Sequence, residues 1–214
     1  PLTLKANSSL VLQSLEWANK YKAKYFFASS SVVYGSPLPG QPPIEESYWG
    51  FMDHLSPRSA YNEGKRFAET TVWNYGKQYG IEIKIARIFS MYGPGMKLNA
   101  GRIIPDFVLA ALDQKDLTIY GDGSETNSYC YITDAKDAFK RFMASSYSGV
   151  LNIGNPESIK LYELAEKIIV LLKSRSKILF QKPLPHLIKP SVPDIRKAKE
   201  EIGWFPLTNL EHGL

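Results

Sequence analysis

Residues 24–35 read Lys24-Tyr-Phe-Phe-Ala-Ser-Ser-Ser-Val-Val-Tyr-Gly35, and residues 59–65 read Ser59-Ala-Tyr-Asn-Glu-Gly-Lys65. The first stretch is an apolar run of strand length that closes on three hydroxyls. The second opens a long amphipathic helix, started near Ser56-Pro57 and stopped by Gly80. Outward from this pair the chain keeps alternating helix and strand, which argues for an α/β fold with a parallel, doubly wound sheet.

Upstream, Leu10, Val11, Leu15 and Ala18 fall at helical spacing and predict a helix over 7–21. Pro37, Pro39, Gly40, Pro42 and Pro43 break the segment after the first strand into a loop. Downstream, Ile81-Glu-Ile-Lys-Ile-Ala86 alternates like a strand and leads into Arg87-Ile-Phe. A loop from Gly93-Pro-Gly95 to Gly101 precedes a helix over 103–112. Short strands are expected at 117–120 and 129–132, around a Gly121-Asp-Gly-Ser124 turn. Thr133-Asp134 predicts the cap of a helix running through Phe142. A strand over 150–153, a helix over 161–173 and a strand over 177–181 follow, then a Pro-rich link, 183–193, and a short basic helix, 194–202.

Both ends read as cut, and neither G-x-G-x-x-G nor G-x-x-G-x-x-G occurs in the 214 residues. A dinucleotide-binding sheet needs such a turn so that backbone N–H groups can approach a pyrophosphate. The expected organisation is the C-terminal half of a dinucleotide-binding domain over 1–92 and a small α/β substrate lobe over 93–214. One strand and helix of the lobe are expected to return to the main sheet.

Composition narrows the function classes. A net charge of +5 has two readings, attraction for an anionic ligand such as a nucleotide diphosphate and a mildly basic solvated surface. No dense Lys/Arg stripe marks a nucleic-acid binder. Cys130 is the single cysteine, so an internal disulfide and a Cys-rich zinc site are both ruled out. It reads as a small hydrophobe in a strand and fits a reducing, cytoplasmic setting. His54, His186 and His212 show no metal-ligand spacing, and no apolar run reaches the eighteen or so residues of a membrane span.

Tyr61 and Lys65 stand at i, i+4 and share a helix face. An ammonium beside a phenol stabilises the phenolate, which makes tyrosine a usable general base. Alone, the spacing more often marks a surface pair on an amphipathic helix. Ser30 ends the preceding strand, where parallel sheets open onto a ligand crevice. A hydroxyl there suits a hydrogen bond to a reacting oxygen, although a Ser-rich strand end is also an ordinary turn.

Taken jointly, these two segments resemble the extended short-chain dehydrogenase/reductases. Arg87-Ile-Phe-Ser-Met-Tyr-Gly-Pro94, Leu117-Thr-Ile-Tyr-Gly-Asp-Gly-Ser124, Tyr131-Ile-Thr-Asp134, and Asp194-Ile-Arg-Lys-Ala-Lys199 with Gly203-Trp204 carry the likeness over nearly the whole chain. Within that group the chain is similar to the NAD-dependent epimerase/dehydratase family, and to its UDP-glucuronate decarboxylases through Ser56-Pro-Arg-Ser-Ala-Tyr61, Tyr48-Trp-Gly50 and Gly101-Arg-Ile-Ile104. The resemblance implies a Rossmann-like sheet lacking its first strands, NAD as cofactor, a UDP-sugar as substrate and a homodimer paired through the Tyr61 helix.

It also implies roles. Tyr61 takes a proton from the sugar 4-hydroxyl while hydride leaves C4 for NAD, Lys65 holds the nicotinamide ribose and tunes Tyr61, and Ser30 orients the 4-oxygen. Ala28, Ser29, Tyr61, Lys65 and Ile88 would bind the cofactor; Ser31, Ser90, Arg102 and Tyr120 would bind the substrate. Tyr120 has two readings, a stacking surface for the base or a core or turn residue. Phe67, Val72 and Tyr75 read as packing, and Trp73 and Tyr79 as contributors to the dimer.

Several positions depart from the family pattern. Val32 stands where the decarboxylases carry Glu, Ser31 where the dehydratases carry Asp, Ser90 where Asn is usual, and Asn127 and Gly95 where Arg is usual. An Arg expected just before Pro193-Asp194 is also missing. Val32 cannot move a proton, which argues against dehydration, weakens decarboxylation and suits a 4-epimerase. Two readings remain: a divergent enzyme in which Lys97, Arg102 or Lys189 supplies the missing charge, and a degenerate or differently specific binding module.

Overall fold

A computed structural model describes residues 2–38, 40–98, 100–184 and 191–214. The chain runs through α1 (Leu2–Asn7), α2 (Ser9–Lys20), β1 (Tyr25–Ser30), a 3-10 turn (Ser31–Tyr34), α3 (Ser59–Tyr79), β2 (Ile83–Ile88), β3 (Met91–Tyr92) and α4 (Ile103–Leu112). It continues through β4 (Leu117–Tyr120), β5 (Thr126–Ser128), β6 (Cys130–Tyr131), α5 (Ile132–Ala144), β7 (Gly149–Ile153), β8 (Ser158–Lys160) and α6 (Leu161–Leu171). It closes with β9 (Ile178–Gln181), α7 (Arg196–Ile202) and α8 (Leu210–Gly213).

The main sheet has the order β1-β2-β7 and is parallel throughout. Its register sets Ser30 beside Ile88 and Ile88 beside Ile153, so three strand ends form one rim. Helices cover both faces, as a parallel sheet requires. Val11, Leu15 and Ala18 of α2 and Ala68 and Val72 of α3 pack on Phe27, Ile83 and Ile85. Ala135, Ala138 and Phe142 of α5, with Ala198, Ile202 and Trp204, pack on Ala86, Leu151 and Ile153. A second core joins α4, β4 and α6 through Phe107, Ala111, Leu117, Ile119 and Leu164.

The structure corrects several sequence expectations. The helix expected over 7–21 is α2, Ser9–Lys20, and a separate short helix that the sequence reading did not include, α1, precedes it with the break at Ser8. The Asn7 amide bonds to the Thr3 carbonyl (2.9 Å) and the Ser8 hydroxyl to the Leu4 carbonyl (2.7 Å), local partners that compete with the helix ladder. β2 begins two residues later than its alternation suggested, and Ile83, Lys84, Ile85 and Ala86 are all buried. Alternation misleads there because the strand is central. Buried Lys84 donates to the carbonyls of Ser145 (2.8 Å) and Tyr147 and pairs with Glu82 at 2.7 Å.

Asp134 is not a cap either. It lies within the first turn of α5 and accepts from the backbone N–H groups of Leu207 (3.2 Å) and Thr208 (2.9 Å), which ties the C-terminal segment down. Phe67, expected to pack, is half exposed, whereas Val72 is buried and Tyr75 partly so. Cys130 is a buried strand residue, and burial pushes its thiol up to about 12.

Two glycines make a test of backbone strain. Gly80 caps α3 at φ +67° in open space, and Gly50 sits at φ +75° with a built Cβ only 2.1 Å from the Tyr34 carbonyl oxygen. Gly80→Ala is expected to cost about 1 kcal/mol. Gly50→Ala should cost more, because the backbone must move as well. Urea midpoints of the two variants check the order; equal midpoints would contradict it.

Candidate functional site

Helix α3 brings the predicted catalytic group to the strand rim. Tyr61 lies in its first turn and is 38% exposed. One turn on, the Lys65 ammonium donates to the Ala28 carbonyl of β1 at 2.8 Å. It lies 4.8 Å from the centroid of the Phe27 ring and 6.0 Å from that of Tyr61. Burial holds the Lys65 ammonium below the usual lysine pKa, and the Glu69 carboxylate opposes that shift. Ser30 caps the 3-10 turn, its hydroxyl oxygen accepting from the Val32 N–H at 3.4 Å. Gly64, between Tyr61 and Lys65, leaves room for α1, since a Cβ there would meet the Asn7 side chain at 3.2 Å.

Behind this group lies a buried polar network. The Ser29 hydroxyl donates to Glu69 at 2.5 Å, so it faces α3 and only its backbone is left at the rim. Arg87 grips the same carboxylate through Nε (3.0 Å) and Nη2 (2.8 Å), and its Nη1 donates to the Tyr34 hydroxyl (2.9 Å) and the Glu46 carbonyl (2.9 Å). Tyr34 in turn donates to Asn152 at 2.7 Å, and the Asn152 N–H donates to Glu46 at 2.7 Å. Burial raises the Tyr34 phenol and the Glu46 carboxyl above their ordinary pKa values.

The four predicted substrate residues meet in one place. Ser31, Ser90, Arg102 and Tyr120 come from separate segments and all line a cleft of about 640 Å³. Val32 and Asn127 share its wall. Asn127 donates to the Ser90 hydroxyl at 3.4 Å, so two of the unusual residues bond to each other. Tyr120 is half exposed on the wall, not in the core. Ser30, Tyr61 and Lys65 are not wall residues, but their chain neighbours Ser31 and Arg58 are. Ile88 ends β2 beside Ser30 and packs partly against the main core.

Of the cations expected to replace the missing arginines, Arg102 lines the cleft and Lys97 does not, while Lys189 lies outside the described residues. Sequence reasoning missed Arg58, whose position one turn before Tyr61 on the same helix was the available signal. A larger hollow of about 980 Å³ has Pro37, Gln41, Ile44, Gly121 and Glu125 in its lining, and neither Tyr61 nor Lys65 lines it. Among the described residues no cluster of three or more His, Cys, Asp or Glu side chains is placed to hold a metal, and no helix is long and apolar enough to cross a membrane.

Comparison with known proteins now decides the family. Residues 2–154 match the NAD dependent epimerase/dehydratase family. The chain is 41% identical over 212 residues to UDP-glucuronic acid decarboxylase 6 of Arabidopsis thaliana, covering 99% of this chain and 61% of the relative. This chain belongs to the NAD-dependent epimerase/dehydratase family. UDP-glucuronic acid decarboxylase 1 of Danio rerio is 42% identical, with 99% of this chain and 50% of the relative covered. The chain thus spans about half to three-fifths of the length of these relatives.

Solved structures of family members superpose closely. UDP-glucose 4-epimerase of Thermotoga maritima, solved with UDP-glucose, matches at a TM-score of 0.90 and 25% identity, over 98% of this chain and 67% of that one. UDP-glucuronic acid 4-epimerase of Bacillus cereus, in complex with UDP-glucuronic acid and NAD, matches at 0.86 and 26%, over 98% and 65%. The doubly wound α/β sheet read from the sequence is therefore the fold of this family.

The Arg87–Glu69 pair makes a direct prediction. Arg87→Ala strands a buried carboxylate, and breaking such a pair costs about 3–5 kcal/mol. A urea midpoint within error of the parent's would show that the pair is dispensable.

Proposed function

We propose that this chain carries the substrate cleft and the Ser30/Tyr61/Lys65 group of a nucleotide-sugar enzyme that works through a 4-keto intermediate and resembles UDP-glucuronate decarboxylase. The observation that carries the reading is the Lys65 bond to the Ala28 carbonyl, which sets an ammonium beside Tyr61 at the strand rim. The gathering of Ser31, Ser90, Arg102 and Tyr120 in one cleft supports it, as does 41% identity to a decarboxylase over almost the whole chain.

The residues at the rim fit the nicotinamide end of NAD: Lys65 offers N–H donors in a half-buried position beside the partly buried ends of β1 and β2. No glycine-rich turn for the pyrophosphate occurs in the 214 residues. NAD, when bound, supplies hydride uptake and return at the sugar C4. The chain's own part is proton handling. Tyr61 accepts the proton of the 4-hydroxyl, Lys65 stabilises the phenolate, and Ser30 orients the 4-oxygen. Arg102 and Arg58 face the diphosphate, and Tyr120 offers a stacking surface to the base.

Val32 on the cleft wall favours a second reading, a UDP-sugar 4-epimerase, since an isopropyl group cannot shuttle a proton. The half-exposed Phe67, Trp73 and Tyr79 on α3 suit pairing of two copies, and a lone buried cysteine accords with a cytoplasmic setting.

Turnover of UDP-glucuronate and UDP-glucose with NAD tests the reading. Tyr61→Phe should lower it by about 10²–10⁴-fold. Release of CO2 marks the decarboxylase and a C4 epimer the epimerase. If Tyr61→Phe turns over at the parent rate, the mechanism is wrong. If the parent binds UDP-sugar in calorimetry without turnover, the chain is a binding module.

A further inference from the structure

Two side chains of α3, one turn apart, grip two successive residues of β1. Lys65 donates to the Ala28 carbonyl at 2.8 Å, and Glu69 accepts from the Ser29 hydroxyl at 2.5 Å. The next residue along the strand is Ser30, and the next turn back along the helix carries Tyr61. The apolar face of α3, Ala68 and Val72, holds the helix on the sheet, and the two polar contacts add a directional register at the end of β1. The second depends on Glu69 holding one rotamer, which the two-pronged contact from Arg87 on β2 enforces.

We infer that Glu69 is a positioning residue: held by Arg87, it locks α3 to the end of β1 and so fixes Lys65 and Tyr61 against Ser30. This rests on the catalytic reading above for its consequence, though not for its geometry. An ion pair this buried is often no more stabilising than apolar residues of similar volume, so stability alone does not account for it. The Glu69 carboxylate also raises the pKa of the half-buried Lys65 against the effect of burial. Other ionisable groups on the elements packed here are Tyr25 of β1, Arg87 of β2, Tyr34 of the 3-10 turn, Lys5 of α1, and Arg58, Tyr61, Glu63 and Arg66 at or along the start of α3.

The test follows the titration of Lys65 by NMR in lysine-labelled protein, with the signal assigned through Lys65→Arg. Three variants are compared: Glu69→Gln; the double variant Glu69→Leu with Arg87→Met, which replaces the pair by apolar groups; and Ser29→Ala, which leaves the pair intact. The expected result is that Lys65 titrates at lower pH in the first two, including in a double variant whose melting temperature has recovered. In Ser29→Ala the Lys65 side-chain carbon signals should shift with little loss of stability.

A folded double variant whose Lys65 titrates like the parent would reduce Glu69 to a stabilising residue and overturn the inference. If neither charge-altering variant folds, an unshifted Lys65 signal in Ser29→Ala does the same. Because the readout is a titration, it stands apart from turnover. Parent protein inactive on every UDP-sugar, with the Lys65 shifts present, would sink the catalytic reading alone.

Discussion

A lysine that leaves water to bond a strand carbonyl is the contact on which this site depends. The ammonium of Lys65 loses hydration, which disfavours its charged form, and regains part of that from the Ala28 carbonyl and the faces of Phe27 and Tyr61. The result is a cation held at a defined point beside a phenol. A lysine free in solvent would supply the same charge with no fixed geometry, and proton transfer rewards fixed geometry. The parallel sheet makes this possible because its strands end together, giving one rim against which a helix terminus can be set.

The cleft carries mixed electrostatics. Arg58 and Arg102 share its lining with Asp106, Asp116 and Glu125, so the described wall residues have no net surplus of positive charge. Ser90 and Asn127 satisfy each other where the family pattern places groups for the ligand. A diphosphate would then rely on two exposed arginines, whose long side chains must be ordered on binding.

Local signals in the sequence were strong for some elements. The i, i+4 spacing of Tyr61 and Lys65 and the stop at Gly80 both describe α3 as it stands. The apolar run ending in Ser30 gives β1 within a residue. Longer-range features left no local trace. Glu69 meets Ser29 and Arg87, and Tyr34 meets Asn152, across separations that no periodicity encodes. The cleft draws Ser31, Ser90, Arg102 and Tyr120 from four separate segments, and their assembly was legible only through resemblance to a known family. Periodicity failed where burial was two-sided, as around Lys84, and it gave no sign of the short helix before Ser8.

The order of strands in the main sheet has a consequence for how the molecule is made. β7 pairs with β2, yet everything from Phe89 to Ser148 lies between them in the chain. Closing so long a loop costs entropy before the pairing repays it. On the ribosome, β1 and β2 emerge and can pair early, while the edge of β2 waits unpaired until the intervening lobe has been synthesised. During that interval an apolar strand edge is open to neighbouring chains. Chaperone dependence and aggregation on rapid overproduction are natural costs of that wiring.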